Sequence, residues 1–187
     1  MTRSLDEPDA CYGLLADGVT ISDDRNIFEF SMRPEAHWHD GTPLTAEDAA
    51  FSYSLLKEKG HPDFALPLAE LKDAVATDAR TLRLTFSGNQ AEMLVLTVVS
   101  MPILSKAYYA ANNFEASSLT PPLASGPYRF GKMAAGQWIE YERVPDYWGV
   151  DLPANKGLYN FDVIRIDTYQ ERQAAFEAFK KGDIHFR

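Results

Sequence analysis

The sequence has one cysteine, Cys11, among its 187 residues. A disulfide framework within the chain is therefore excluded, and a zinc site built on cysteine thiolates is not expected. Basic residues are also scarce, with 18 lysines and arginines against 27 aspartates and glutamates and a formal net charge of −9. Because nucleic acid and anionic membranes are bound by basic surfaces, we expect neither as the main partner of this chain.

Long apolar runs are missing as well. The longest candidate, MLVLTVVSMPIL, contains Pro102 and is shorter than the roughly 20 residues of a membrane-spanning helix, so direct membrane insertion is not expected. The opening MTRSLDEPDA has no apolar segment of the kind found in export signals. The closing GDIHFR is typical of a strand that begins after a helix. We therefore expect a fragment of a longer protein, with any signal sequence further upstream.

Alternation of apolar and polar residues predicts several strands. NIFEFSMRP places Phe28, Phe30 and Met32 on one face, which is the pattern of a half-buried strand. Two hairpins are predicted, in LKDAVATDARTLRLTF and in GPYRFGKMAAGQWIEYERV, and the second turns at residues 134–136. FDVIRIDTY predicts one further strand.

Capping residues and apolar spacing predict the helices. Thr45, with Asp48 three residues later in a variant of the capping box, begins a helix that ends at Gly60. NQAEMLVLTVVSMPILSKAYYAAN predicts a buried helix and then a short helix over residues 106–111. ERQAAFEAFKKGD predicts a helix that stops at Gly182. The expected buried side of this last helix consists of Ala175, Phe176 and Phe179.

The composition and the order of the elements define the expected fold class. With 45% hydrophobic and 12% aromatic residues, the chain can form one domain with a core or two small lobes that share one. Helices and antiparallel hairpins are intermixed, which predicts an α+β (mixed α/β) fold in two unequal parts. SLTPPLASGP, which contains three prolines and a glycine, places the boundary between the parts near Ser125.

A metal site is one interpretation of the segment HWHDGT. His37 and His39 are two residues apart, as on a strand, and Asp40 could add an oxygen ligand. A third strong ligand at a known spacing is missing, however. The alternative is a loop in which Asp40 and Gly41 form a tight turn before the helix, and the sequence favours this interpretation.

Patterns typical of catalysis are missing too. There is no G-x-S-x-G elbow and no glycine-rich phosphate loop, and Glu140 and Glu142 lie on one face of a solvated hairpin rather than forming a recognisable acid pair. We therefore predict no catalytic residues, no metal ligands, no cofactor and no enzymatic activity.

Five residues are candidates for ligand contact. Tyr147 and Trp148 lie in a loop rich in Pro, Asp and Gly, where their rings could stack on a ligand or fill a core. Tyr108 and Tyr109 present the same two alternatives. Ser125, beside Gly126 in LASGPY, completes the set. The sequence alone leaves these alternatives open.

Four segments in a fixed order carry a resemblance. They are FEFSMRPEAHWHDGTPLTAEDAAFSYSLL, SGPYRF, RVPDYWG and FDVIRIDTYQERQAAFEAFKKGDI. Together they resemble the family-5 extracellular solute-binding proteins, the dipeptide and oligopeptide receptors of ABC importers. Ser125 stands where that family has Thr. The resemblance covers residues 27–184, and SLDEPDACYGLLADGV and LTPPLASGPYR are most similar to the YejA-like branch.

The resemblance implies both a fold and a function. The fold is part of a two-lobed structure of the periplasmic-binding-protein type that closes over a peptide or similar small solute and delivers it to the permease subunits of an ABC importer. Residues 1–124 would form the extra subdomain of the first lobe, and residues 125–187 would return into its main part. The second lobe would be absent. The resemblance also implies a periplasmic or extracytoplasmic location and a monomer in full-length form.

Two other functions remain open at this point. The same module can sense a solute beside the DNA-binding domain of a cytoplasmic transcription regulator, and the same fold can serve as a metal or haem acquisition receptor. An upstream export signal or an upstream helix-turn-helix would distinguish transport from regulation. Titration with nickel, zinc and haem would test the acquisition receptor.

Overall fold

The computed structural model describes residues 1–3, 7, 10–88, 90–91 and 94–186. Its strands are β1 Thr2–Arg3, β2 Cys11–Tyr12, β3 Ala16–Ile21, β4 Ile27–Met32, β5 Leu71–Ala76, β6 Thr81–Phe86, β7 Tyr128–Ala134, β8 Trp138–Arg143 and β9 Val163–Asp167. Its helices are α1 Ala46–Lys59, α2 Pro62–Ala65, α3 Leu94–Val98, α4 Lys106–Ala111 and α5 Arg172–Lys181, with short 3-10 helices at Leu66–Leu68 and Pro153–Asn155. The predicted mixed α/β class is confirmed.

The chain divides into two compact units. The first unit comprises Met1–Pro127 and Asp146–Leu158, and the second comprises Tyr128–Pro145 and the chain from Tyr159 onward. The predicted division falls after residue 124 instead, and it places residues 146–158 in the second part. That division concerns the lobes of a whole receptor, and it remains a prediction.

The first unit is built on a four-stranded antiparallel sheet with the strand order β3-β4-β6-β5. The register pairs Phe28 with Leu84 and Phe30 with Leu82, so the apolar residues of β4 and β6 share one face. These four side chains are at most 4% exposed. Full burial of each side chain stabilises the fold by roughly 1.5–3 kcal/mol, which makes this face the centre of the core.

Helix α1 covers the same core with Ala49, Tyr53 and Leu56, each at most 4% exposed. The hydroxyl of Tyr53 donates to the carbonyl of Val98 at 2.7 Å, and burial raises the pKa of this phenol. The predicted start of α1 is confirmed, because Asp48 accepts hydrogen bonds from the backbone N–H and the hydroxyl of Thr45 at 3.0 and 3.1 Å. The predicted end is confirmed as well, since the helix ends at Lys59, before Gly60.

The apolar segment before residue 112 forms two helices, as the sequence predicts. Leu96 and Val98 of α3 are buried, and α4 has the predicted bounds. Asn89, Glu92 and Met93 of this segment lie outside the described residues.

The second unit contains a three-stranded antiparallel sheet with the strand order β7-β8-β9. The predicted hairpin is confirmed, with Gly136 at a φ of 71° between β7 and β8. Helix α5 ends at Gly182, as predicted, where a φ of 81° is available to glycine without strain.

Two details of the second unit differ from the predictions. Phe176 and Phe179 of α5 are 39% and 43% exposed, and Ala178 is the buried residue of the helix, so the predicted buried side of α5 is wrong for this chain. Residues 183–186 do not form the predicted strand. Both predictions assumed that another part of the protein packs against these residues. The sequence pattern does not identify such a packing partner.

No helix in the described residues combines the length and the apolar character that crossing a membrane requires.

Candidate functional site

The loop that follows β4 is a tight turn, as predicted. The carboxylate of Asp40 accepts hydrogen bonds from the hydroxyl and the backbone N–H of Thr42 at 2.6 and 2.9 Å. These bonds, the hydroxyl first, hold the pKa of Asp40 below its ordinary value. Gly41 has a φ of 83°, and its N–H donates to the carbonyl of Trp38 at 2.9 Å. The side chains of Asp40 and Thr42 and the positive φ of Gly41 therefore stabilise the turn.

The two histidines of the loop bind backbone carbonyls. Nδ1 of His37 lies 2.9 Å from the carbonyl oxygen of Glu35, and Nε2 of His39 lies 2.8 Å from that of Gly126. A carbonyl only accepts, so both ring nitrogens are the donors. Trp38, which lies between them in sequence, is 2% exposed and belongs to the core. Among the described residues there is no group of three or more His, Cys, Asp or Glu that could hold a metal ion.

His39 fastens the loop to the segment at residues 124–126. Its backbone N–H donates to the carbonyl of Ala124 at 2.8 Å, in addition to the bond from its ring to Gly126. The carbonyl of Ser125, between these two, accepts from the indole N–H of Trp148 at 3.0 Å. Three parts of the first unit, at His39, at residues 124–126 and at Trp148, therefore meet at one place.

Tyr147 and Trp148 form a packed ring pair in this place. The ring centroids lie 5.3 Å apart at an interplanar angle of 57°, and Tyr147 is 6% exposed. The Tyr147 ring passes so close to Gly149 that a Cβ there would lie 2.8 Å from the Cζ and Oη atoms of the tyrosine. The side-chain amide of Asn155 donates to the carbonyl of Gly149 at 2.6 Å. This geometry favours a packing role for Tyr147.

Tyr108 and Tyr109 belong to a different aromatic group, on α4. Their rings meet edge to face with centroids 5.0 Å apart, and the ring of Tyr109 contacts Phe114 in the same way at 5.5 Å. The hydroxyl of Ser105 caps the helix by accepting from the Tyr108 N–H at 3.2 Å. Both tyrosines are half-buried, and burial raises the pKa of Tyr109. Each tyrosine therefore keeps part of its surface exposed.

Two hollows of the first unit are not built from the candidate residues. One, of about 40 Å³, is an apolar gap in the core beside Phe30, Tyr53 and Met101. The other, of about 320 Å³, is an open depression between α1 and β5, with both polar and apolar lining, beside Lys57 and Asp73. The first is too small to hold a solute, and the second lacks a mainly apolar lining, so neither is typical of an enclosed solute site.

The sequence reasoning missed two connections that build the site. It identified Thr45 and Asp48 as a cap but missed that the second oxygen of Asp48 accepts from the Lys106 N–H at 2.9 Å. It also missed the pairing of His39 with Gly126. The order of the motifs along the chain was the only signal, and it does not specify which residues contact one another.

The sequence model of the bacterial extracellular solute-binding proteins, family 5, Middle, matches residues 10–187. The chain belongs to this family. It is 42% identical to the peptidoglycan-binding protein YepA of Agrobacterium fabrum over 98% of the chain and 30% of the relative. It is 32% identical to a protein of the same organism named "Probable peptide-binding protein YejA", over the whole chain and 31% of that relative.

A solved structure gives the same picture of the fold. The chain superposes on AgaA of Agrobacterium tumefaciens R10, which was solved with agropinic acid, with a TM-score of 0.74 and 28% identity over 91% of this chain and 33% of AgaA. The predicted family, its YejA-like branch and the fold of the periplasmic-binding-protein type are confirmed. The chain spans about 30% of the length of the relatives that it matches. Solute binding, rather than catalysis, is the function of this family.

Proposed function

We propose that this chain is the first-lobe part of an ABC-importer receptor that captures peptides and delivers them to a membrane permease. The observation that carries the proposal is the 42% identity to YepA over 98% of the chain, together with the family match. The family name, extracellular solute-binding, supports a periplasmic location. In this proposal the whole receptor is a monomer and carries its signal sequence upstream of these residues.

The chemistry of such a receptor requires no nucleophile and no bound metal. It requires two lobes that close over a solute. Backbone groups and a charge partner bind the polar ends of the solute, and apolar surface binds the side chains of the solute. The hydrogen bonds from His39 to Gly126 and from Trp148 to Ser125 support a rigid first lobe against which a second lobe can close. The exposed parts of Tyr108 and Tyr109 are the proposed contacts for a solute, whereas Ser125, Tyr147 and Trp148 hold the loop.

A second solute class has a specific observation in its favour. YepA is named as a peptidoglycan-binding protein, so peptides derived from peptidoglycan are an alternative to ordinary oligopeptides. Both classes offer a peptide backbone, and they differ in their sugars and in their D-amino acids.

Calorimetry on the complete receptor, encoded by the whole open reading frame, tests the proposal. We expect binding of oligopeptides or of peptidoglycan-derived peptides in the micromolar range or tighter. The 187-residue chain alone should bind at least about 100-fold more weakly, because one face of the closed site is missing. Absence of binding to the complete receptor would refute the peptide function, and equal affinity of the isolated chain would refute the role of a second lobe.

A further inference from the structure

A third hollow of the first unit lies between the turn of the β3-β4 hairpin and helix α3. Its volume is about 170 Å³, and the described residues that line it are Ile21, Arg25, Phe28, Ala91 and Val95. Ile21 ends β3 and pairs with Phe28 of β4, whereas Val95 belongs to α3. This hollow shares no described lining residue with the other two hollows. We call it the hairpin hollow.

Apolar side chains form most of its described lining. Phe28 is 2% exposed, and its ring contacts that of Phe86 edge to face with centroids 5.5 Å apart, so Phe28 is a fixed part of the core. Ile21 is 39% exposed, and Val95 is half-buried. An apolar cavity of about 150 Å³ is large enough to bind benzene. The hairpin hollow therefore has the volume for one aromatic ring.

Arg25 is the charged residue of this lining. Its φ of 57° is uncommon for a residue other than glycine, and its backbone N–H donates to the carbonyl of Ser22 at 2.8 Å. The carboxylate of Asp24 is held inside the turn, where it accepts from the Ser22 hydroxyl at 2.5 Å and from the Asn26 N–H at 3.2 Å. A guanidinium has five N–H donors, so it can bind a ligand carboxylate and keep a contact to the protein.

We propose that the hairpin hollow binds a small carboxylate whose apolar part has the size of one ring. The apolar part lies over Phe28, and the carboxylate pairs with the Arg25 guanidinium in a charge-assisted hydrogen bond. Charge complementarity selects the anion, and the apolar lining selects against an anion that has no apolar part. Two sources offer this chemistry, a free aromatic acid and the C-terminal residue of a peptide.

This inference does not depend on the proposed function. The hairpin hollow adjoins the start of β4 at Ile27, whereas the loop that carries His39 follows the other end of the strand, at Met32. The hollow is also smaller than the roughly 300 Å³ at which sites for larger ligands begin, so it suits one ring rather than a whole peptide.

Titration of the complete receptor with benzoate tests the proposal. Methyl NMR of isoleucine and valine follows the binding, because Ile21 and Val95 line the hollow and Ile103 lines the separate core gap. Benzamide is the matched ligand without the charge, and acetate is the matched ligand without the ring. We expect benzoate to shift the methyl signals of Ile21 and Val95 saturably, and benzamide and acetate to bind at least about 10-fold more weakly.

The variant R25Q tests the role of the guanidinium. It should weaken benzoate binding at least about 10-fold, because the carboxylate loses its charged partner. R83Q is the matched control, since Arg83 is an exposed arginine of the same sheet that pairs with Glu29 on the face opposite Phe28. It should leave benzoate binding unchanged. The comparison of benzoate with benzamide uses the unaltered protein, so it tests the proposal even where R25Q fails to fold.

Four results would overturn the proposal. They are the absence of saturable shifts at Ile21 and Val95, shifts at Ile103 in their place, equal affinity for benzoate and benzamide, and unchanged benzoate binding by R25Q. The tetrapeptide Gly-Gly-Gly-Phe and its C-terminal amide distinguish the two sources. Shifts at Ile21 and Val95 with the free peptide but not with its amide would support peptide ends as ligands. Shifts with benzoate alone would support free acids.

Discussion

The imidazole of His39 donates a hydrogen bond to the backbone carbonyl of Gly126 at 2.8 Å, across 87 positions of the chain. This bond joins the Asp-Gly loop to the Ser-Gly-Pro segment, and Trp148 binds the same segment from another side. The histidine that first suggested a metal ligand is therefore a structural residue. The neighbouring His37 binds only a local carbonyl, two residues away.

The variant H39A should destabilise the protein. It leaves the partly buried carbonyl of Gly126 without its donor, which costs about 1–2 kcal/mol of the free energy of unfolding. Urea denaturation followed by tryptophan fluorescence measures this loss. H37A is the matched control and should cost less than about 0.5 kcal/mol, since its bond is local and exposed. Equal losses for the two variants would contradict the structural role of His39.

Asp48 should contribute more to the stability of the protein than its neighbour Glu47. Asp48 is 7% exposed and accepts from the Thr45 N–H and the Lys106 N–H, whereas Glu47 pairs on the surface with the Lys106 ammonium. We expect D48A to lower the free energy of unfolding by about 2–3 kcal/mol, because two partly buried backbone donors lose their acceptor. E47A should change it by less than about 0.5 kcal/mol. Thermal denaturation of both variants checks the difference, and similar effects would argue against the cap.

Gly149 should not tolerate a side chain. A Cβ at this position would lie 2.8 Å from the ring of Tyr147, which is buried and cannot move freely. We expect G149A to cost about 1–3 kcal/mol of stability and to change the fluorescence of Trp148. G126A is the control, because a Cβ there meets nothing within 4 Å. A neutral G149A would show that the Tyr147 ring is displaced easily.

The turn at Asp40 should contribute a small acid dependence of stability. The pKa of Asp40 is lowered in the folded protein, so its contribution is present above the unfolded value of about 3.9 and is lost as the pH falls through the folded value. The variant T42V removes the hydroxyl donor and should raise the Asp40 pKa toward its ordinary value. NMR titration of the side-chain carboxyl measures this shift directly. T20V, at an exposed threonine of β3, should leave the Asp40 pKa unchanged.

Local patterns predicted most of the elements. The alternation in β4 and β6, the cap at Thr45 and the stop at Gly182 depend on residues close together in sequence, and all of them hold in the structure. Prediction failed for the buried side of α5, where Phe176 and Phe179 are open. A helical pattern shows which residues can be buried, but burial also requires a surface that packs against them. Among the described residues, no such surface covers Phe176 and Phe179.

The candidate site divides in the same way. The sequence named Tyr147, Trp148 and Ser125 among the candidate residues without showing that Ser125 binds the Trp148 indole. It identified the Asp-Gly turn but left the histidines with two interpretations. For His39, a hydrogen bond to a residue 87 positions away favoured the structural interpretation, and no spacing rule within one segment reports such a bond.

The sequence by itself determined the family, the order of the elements, the helix caps and the absence of a disulfide framework, because each of these depends on local spacing or on composition. Only the tertiary structure decided the roles of His39, Asp48 and Tyr147, and only it showed that one face of the β7-β8-β9 sheet is apolar and exposed. The physical reason is that a side chain's role depends on what lies opposite it after folding. Hydrogen-bond partners and burial are properties of the folded arrangement, whereas turns and periodicity are properties of the chain.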